Sequence, residues 1–488
     1  MKKIIKQTWI LGLVAFVLTS ILPSCKKQIN MAPENATYDE VFWVDGRNVN
    51  KALTGAYSML RDAFRVDRSY FIFGDLAANN FQPGSDYWNY MDMLQARNFN
   101  FNYVPYLEGS LKNWSRFYAI VNQCHLIIEN APNIPDSKYT GGAAQKKRLL
   151  GEAKFLRAYV YFYMQRVWGD VILTKETVKD PTNVAPLPRS PESETMNYCL
   201  ADLQSASALL DNDANKTHAN KVSALALLAQ VYAWKKDYVN SEKYCDSVIN
   251  NSPVSLEDLA DYRNIWEGNS KESILELSMK FDAVSNEATS GFFNAFLNND
   301  YITNRNFPAS GWALSQTSLG IFGLLGTNIP PDARRDMVIE PAGNGLYMLS
   351  KYTGVDYYDP NNKNTYVVSN NLVLIRLADT YLLRAEARVK NGNQTGALQD
   401  LNVITARAGS TEVKGLISLN AIADERLREF IGEGSNQFDF IRMEQLPRYF
   451  PIYTPERIAK KGYFWPLDMR TLLKQDELLT QNEWWNNN

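Results

Sequence analysis

Apolar residues recur at helical spacing in several separate stretches of this chain. The clearest is residues 374–409, LIRLADTYLLRAEARVKNGNQTGALQDLNVITARAG. Leu374, Leu377, Ala378, Tyr381, Leu382, Ala385 and Val389 follow the 3.6-residue period of a helix that buries one face. Asn391, Gly392 and Asn393 end it, because Gly and Asn tolerate the left-handed backbone that a helix terminus needs. A second helix follows, with Ala397, Leu398, Leu401, Ile404 and Thr405 on one face. Small residues near the turn let the two backbones approach closely. The pair predicts a tetratricopeptide-like hairpin, a unit that must stack on others to bury its apolar stripe. Arg376, Arg384, Arg388 and Arg407 alternate with Asp379, Glu386 and Asp400. That pattern predicts solvated outer faces laced by pairs at i,i+3 and i,i+4.

The same period recurs upstream. Residues 48–60, 111–129 and 143–168 read as helices, the last ended by Gly169 and followed by a short strand at 171–173. Pro186, Pro188 and Pro191 mark a link, after which a further helix starts. Residues 223–234 and 238–250 form a second hairpin around Lys236 and Asp237. Two tracts break the period. Residues 67–108 read as a long irregular segment, and loops of that length inside a domain usually serve function. Between about 252 and 371 strand-like alternation at 274–279 gives way to Asn, Gly, Pro and aromatics. The pattern therefore predicts a mainly α fold: a helical-hairpin scaffold over roughly 36–251 and 370–488, with a loop-rich insertion of short strands over roughly 252–369.

Composition narrows the partners. With 51 Lys and Arg against 53 Asp and Glu and no extended basic run, nucleic acid is excluded as a partner. The 27 Tyr, 22 Phe and 11 Trp supply rigid contact area with polar tips, as well as core. At the N-terminus Lys2, Lys3 and Lys6 precede an apolar run at residues 9–22, too short for a transmembrane helix. It ends in Leu22, Pro23, Ser24 and Cys25, the pattern of a bacterial lipoprotein processing site. Residues 1–24 then form the signal, Cys25 carries the acyl chains, and 25–35 are a tether. Cys124, Cys199 and Cys245 lie in helical patterns as buried thiols rather than a disulfide framework. Of the two histidines, His125 sits in a helix as a core residue. Asp356, Asp359, Asn361 and Asn362 lack the spacing and closing Glu of a calcium loop, so no metal is assigned. Phosphate cradles, zinc motifs and nucleophile elbows are also missing, so neither a cofactor nor an enzyme activity is expected.

The lipoprotein cysteine is joined by an ordered set of motifs. These are LLGEAKFLRAYVYFYMQRVWGDV at 149–171, RLADTYLLRAEA at 376–387, LNVITARAG at 401–409, and IADERLREFIGEGSNQFDFIR at 422–442. The tail adds Trp465-Pro466-Leu467 and Gln481-Asn482-Glu483-Trp484-Trp485. Together they resemble the SusD/RagB family of outer-membrane nutrient-binding lipoproteins of Bacteroidetes. The resemblance spans nearly the whole chain. This sequence has Glu433-Gly434-Ser435-Asn436 where the family often has Glu-Gly-x-Arg, and Lys26-Lys27-Gln28 where exposed members often carry acidic residues. The resemblance implies a non-enzymatic, lipid-anchored outer-membrane protein facing the cell exterior. It implies capture of an oligosaccharide for a SusC-like TonB-dependent transporter. Capture of a peptide, or service as a transporter lid with little affinity of its own, stay open as alternatives. It further places the ligand surface in the loop after the first helix and in the insertion. Here those regions hold Asp75, Asn80, Tyr87, Trp88 and Asn89, and Asn298, Tyr301, Arg305 and Trp312. Trp88 and Trp312 are the expected stacking platforms; Asp75, Asn80, Asn89 and Arg305 are the expected hydroxyl partners.

Overall fold

Ten helices account for most of the scaffold in the computed structural model. It describes residues 39–83, 105–178, 185–279, 290–297, 312–323, 332–343, 345–357, 359–362 and 365–486. The chain divides into two units. Met1–Asp45 has only 39–45 described, with a short helix at Asp39–Phe42; Gly46–Asn488 holds everything below.

The helices are α1 (Gly46–Arg65), α2 (Ser115–Asn130), α3 (Gly142–Trp168), α4 (Glu192–Leu209), α5 (Lys221–Trp234) and α6 (Tyr238–Asn251). After a long excursion come α7 (Leu377–Lys390), α8 (Gln394–Arg407), α9 (Leu419–Phe430) and α10 (Asn436–Arg442). Each of α1 to α9 packs on the next in chain order, the arrangement of stacked helical hairpins. The α5–α6 and α7–α8 hairpins share one design, with 14 residues in every helix. In both turns a residue with positive φ (Lys236 at 65°, Gly392 at 85°) precedes an N-cap whose side chain accepts an amide. Asp237 takes that of Asn240, and Asn393 that of Gly396.

Although 125 residues separate them, α6 and α7 pack directly on each other. The excursion is closed at its base by an antiparallel pair. Strand β2 (Ser273–Leu277) lies against β8 (Leu372–Arg376), with Ser273 opposite Arg376 and Leu277 opposite Leu372. The expected helix start at Leu374 is thus corrected: residues 372–376 run as strand, and α7 begins at Leu377. Valine and isoleucine at 373 and 375 favour that choice once a partner strand is present.

Among the described residues the other strands also pair in twos. They are β1 (Phe81–Pro83) with β3 (Trp312–Leu314), β4 (Ile339–Gly343) with β5 (Leu346–Leu349), and β6 (Val355–Tyr357) with β7 (Tyr366–Val368). The strand expected at 171–173 reduces to a single bridge, Val171 to Ser190. The start of the expected irregular segment is instead wound: Ser69–Phe71 is α-helical and Ile72–Leu76 a π turn, with every residue from 69 to 76 buried. Cys124, Cys199 and Cys245 are buried free thiols, and burial pushes Cys124 up to about 12. Among the described residues no helix is long and apolar enough to cross a membrane.

The charged residues of 376–409 are not a solvated face. Arg376 is 2% exposed. It donates to Glu272 Oε1 (2.7 Å), Glu429 Oε1 (2.6 Å) and both oxygens of Glu433 (2.8 and 2.9 Å). Arg407 binds Glu272 and Glu429. Arg384 grips Asp400 bidentately (2.9 and 2.6 Å), and Arg388 reaches Asp400, Glu242 and Asp246. Glu386 holds Arg442, and Asp379 holds Arg426. Asp400 ties the two helices of its own hairpin, and the other partners lie on other elements, so these charges also join hairpins to the rest of the chain. An alternation of Arg and acid has the same period whether it faces water or a neighbouring helix, and this one faces neighbours.

Candidate functional site

Two segments expected to build a ligand surface meet at one strand pair. In β1–β3 Phe81 faces Leu314 and Pro83 faces Trp312. Chain leaving β1 after Pro83 and chain entering β3 before Trp312 therefore depart from the same end. The departing stretches carry Tyr87, Trp88 and Asn89 on one side, and Asn298, Tyr301 and Arg305 on the other. All six lie outside the described residues, as does Cys25.

Beneath that pair sits an aromatic floor. The Phe71 ring meets Phe292 (4.7 Å between centroids), Phe296 (4.8 Å) and Trp312 (6.4 Å). Phe81 and Tyr352 add contacts to Phe296 at 5.2 and 5.6 Å. Such edge-to-face and tilted pairs contribute about 0.5–1.5 kcal/mol each beyond the area they bury. Trp312 is 0% exposed, so it is core and offers no face for a sugar ring. This corrects its expected role as a platform. A tryptophan in a Gly-rich tract looks the same in sequence whether it points out or in.

Asp75 and Asn80 are corrected in the same way. They are 0% and 1% exposed and form an internal clamp. Asp75 accepts the amides of Gly432 (2.8 Å) and Gly434 (2.5 Å) and the Asn80 side-chain amide (3.1 Å). Asn80 also donates to Asn436 Oδ1 (2.7 Å), and its carbonyl accepts Ser315 N and Ser318 Oγ (2.9 and 3.0 Å). Burial pushes the Asp75 carboxyl up to about 7, against the pull of the Gly434, Gly432 and Asn80 donors. Close packing demands glycine here. A Cβ on Gly74 would meet the Gly434 carbonyl oxygen at 2.0 Å, and one on Gly434, at φ +77°, would meet the Tyr70 ring at 2.2 Å. The clamp thus locks the turn before β1 to the segment between α9 and α10. Its signal in the sequence was the Gly432-Glu433-Gly434 run, two glycines placed where a helix ends.

A buried charge cluster fixes the other side of the insertion. Five cations (Arg334, Lys351, Arg376, Arg407 and Arg428) meet five carboxylates (Glu272, Asp332, Glu425, Glu429 and Glu433). Arg407, Arg376 and Arg334 overcome burial to hold Glu429 well below the usual carboxylate range. Glu272, Arg334 and Lys351 come from the excursion; Arg376, Arg407, Glu429 and Glu433 come from the scaffold beyond it. Among the described residues no cluster of His, Cys, Asp or Glu could hold a metal ion, and Asp359 Oδ1 instead accepts the Asn361 amide.

A family model described as starch-binding associating with outer membrane matches residues 33–233, and one described as SusD family matches 324–485. The chain belongs to the SusD/RagB family. Among the relatives of this SusD/RagB chain is SusD-like protein P38 of Formosa agariphila, 26% identical over 94% of this chain and 95% of the relative. A SusD-like protein of Bacteroides ovatus is 26% identical over 85% and 78% respectively. In fold, the chain matches a SusD superfamily protein from Bacteroides thetaiotaomicron, with TM-score 0.77 and 23% identity, covering 91% of this chain and 99% of that one. It also matches NanU of Bacteroides fragilis, with TM-score 0.72 and 20% identity, covering 93% and 99%. The fold is accordingly the tetratricopeptide-like scaffold of that superfamily. The family is one of glycan-binding, outer-membrane-associated proteins, and SusD-like proteins bind rather than catalyse.

Proposed function

We propose that this SusD/RagB protein captures oligosaccharides at the cell surface and passes them to a SusC-like TonB-dependent transporter. Cys25 anchors it to the outer membrane by its acyl chains, facing outward. The observation that carries the reading is the β1–β3 pair, from one end of which both candidate ligand segments depart. Tyr87, Trp88 and Tyr301 supply stacking faces; Asn89, Asn298 and Arg305 supply hydroxyl partners. The clamp and the aromatic floor support this reading as a rigid base, because a site holds its geometry only when the residues under it are locked. Asp75, Asn80 and Trp312 serve in that base and touch no ligand.

The test is a binding screen of the mature protein against panels of oligosaccharides and peptides, repeated with Trp88→Ala and Tyr301→Ala. Loss of one stacking face costs about 1–3 kcal/mol, a fall of roughly 5- to 150-fold in affinity. Oligosaccharide binding that both substitutions leave unchanged would remove these segments as the site. Binding of peptides alone would replace the glycan by a peptide ligand.

A further inference from the structure

Three helices end around one cavity of the scaffold: α5 at Trp234, α10 at Arg442, and a short helix, Pro455–Ala459, at Ala459. Two residues beyond these ends stand Lys236, Glu444 and Lys461, with φ of 65°, 60° and 51°. Glycine takes this left-handed position without strain, as Gly392 does in the matching turn of the α7–α8 hairpin. Here each position carries a charged side chain instead. Lys236 pairs with Glu444 (3.3 Å), and Lys461 with Glu192 (3.4 Å). Every member of the two pairs is at least 30% exposed. Exposed pairs add little stability, so they do not offset the strain of the backbone beneath them. Lys236 also donates to the Arg442 carbonyl, which closes the end of α10.

The cavity inside this rim measures about 310 Å³, at the lower end of the range for small-molecule sites. Its floor is hydrocarbon and ring, from Trp234, Phe440, Leu446, Ile458 and Phe464. The Trp234 indole nitrogen is spent on Glu192 (2.8 Å). Tyr463 lines the cavity too, and among the described residues nothing hydrogen-bonds its hydroxyl. Burial, Glu192 and Glu444 all push that hydroxyl up, so it stays neutral beside the two acids, able to give or accept a hydrogen bond. Helix C-termini present carbonyl oxygens rather than amides, which disfavours a phosphate here. The apolar floor offers a sugar ring too few partners for its hydroxyls. Around the rim the charges alternate and cancel, two lysines against two glutamates. The matching ligand has an apolar body and one charge of each sign.

We propose that this cavity binds a zwitterion with an apolar body, of the class of a free aromatic or branched amino acid. The side chain lies on the ring floor. The ammonium meets Glu444 and the Tyr463 oxygen, and the carboxylate meets Lys236. Because the rim pairs are exposed, exchanging one of their contacts for a ligand's costs little. The cavity stands on elements other than β1–β3, and the proposal does not rest on the glycan reading.

Isothermal titration of the full mature chain with L-phenylalanine, phenethylamine and 3-phenylpropanoate tests this. L-phenylalanine should bind at one site. Each analogue keeps the ring and loses one charge, and should bind at least about tenfold more weakly. Glu444→Gly relieves the left-handed backbone and removes the partner of the ammonium, and should weaken L-phenylalanine by about tenfold. Trp88→Ala should leave that affinity unchanged, while titration of the same variant with oligosaccharides reports on the glycan reading separately. Absence of bound L-phenylalanine at about 20 mM, both by titration and in soaked crystals, overturns the proposal. So does equal binding of either analogue, which removes the need for both charges. Undiminished binding to Glu444→Gly, or an equal loss in Trp88→Ala, places the ligand elsewhere and overturns it as well. If Glu444→Gly does not fold, Tyr463→Phe takes its place, with an expected loss of about fivefold; no loss overturns the assignment.

Discussion

Replacing Arg376 by methionine gives the sharpest test of how the insertion is held. The substitution keeps the length and apolar stem of the side chain and removes its charge. It deletes the bonds to Glu272, Glu429 and Glu433 at 2.6–2.9 Å, and it leaves five carboxylates facing four cations in a site 2% exposed or less at Arg376, Glu272 and Glu429. Breaking a buried pair by removing one partner costs about 3–5 kcal/mol, because the survivor is left uncompensated. A unit the length of Gly46–Asn488 unfolds with an entropy of roughly 0.9 kcal/mol/K. The melting temperature should therefore fall by about 3–5 °C. Arg448, which pairs with Asp424 near the surface with 37% and 28% of the two side chains exposed, is the matched control. Arg448→Met should cost no more than about 1 kcal/mol. Calorimetry of the two variants side by side settles the comparison. If Arg376→Met melts within 1 °C of Arg448→Met, the buried network contributes nothing and the account of how the insertion is fixed fails.

Gly74→Ala should cost more than about 3 kcal/mol or prevent folding, because the added methyl meets a backbone oxygen at 2.0 Å that cannot swing away; yield of soluble protein and a urea melt check this. Asp75 has a folded-state pKa near 7, above its unfolded value, so its own contribution to stability is greatest below about pH 4 and falls as pH rises to 7. The stability gap between wild type and Asp75→Asn, from urea melts, should accordingly shrink from pH 4 to 7; a gap that widens would show that the amide donors outweigh burial. Glu429, Glu425 and Asp379 act in the opposite sense, their carboxyls being held down by arginines. Stability from these groups is present above their unfolded values near 4 and is lost as pH falls below them, so Glu429→Gln should flatten the acid limb of a pH–stability curve. Cys25→Ser should release the protein from the membrane fraction and abolish labelling by a fatty-acid analogue; retention of the label elsewhere in the chain would refute the anchor.

The scaffold was legible because helical period survives burial. The stripe Leu377, Ala378, Leu382 and Ala385 is buried as its spacing demands, and both hairpin turns carry their Asn or Asp cap. Burial direction was not legible. Arg376, Arg384 and Asp400 have the periodicity of a wet helix face, and what covers them comes from far along the chain: Glu272, Glu429 and Glu433 meet Arg376, and α6, across 125 intervening residues, meets Arg384 through Asp246. For the same reason Asp75, Asn80 and Trp312 looked like ligand chemistry: polar and aromatic residues in a non-periodic tract mark either an open site or the foundation of one. What separates the two is long-range pairing, here Asp75 with Gly434 and Phe81 with Leu314, which no local pattern encodes.

The strand pair that closes the base of the excursion also sets how freely the chain can change there. Its two ends are hydrogen-bonded neighbours, so the scaffold registers only that they meet, not how much chain lies between. Doubling the length of that chain adds only about 0.6 kcal/mol of closure entropy. Chain can therefore be added or removed in the connections between Leu277 and Leu372 while α6 and α7 keep their contact, so long as Arg334 and Lys351 keep their partners in the buried cluster and β3 keeps its pairing with β1.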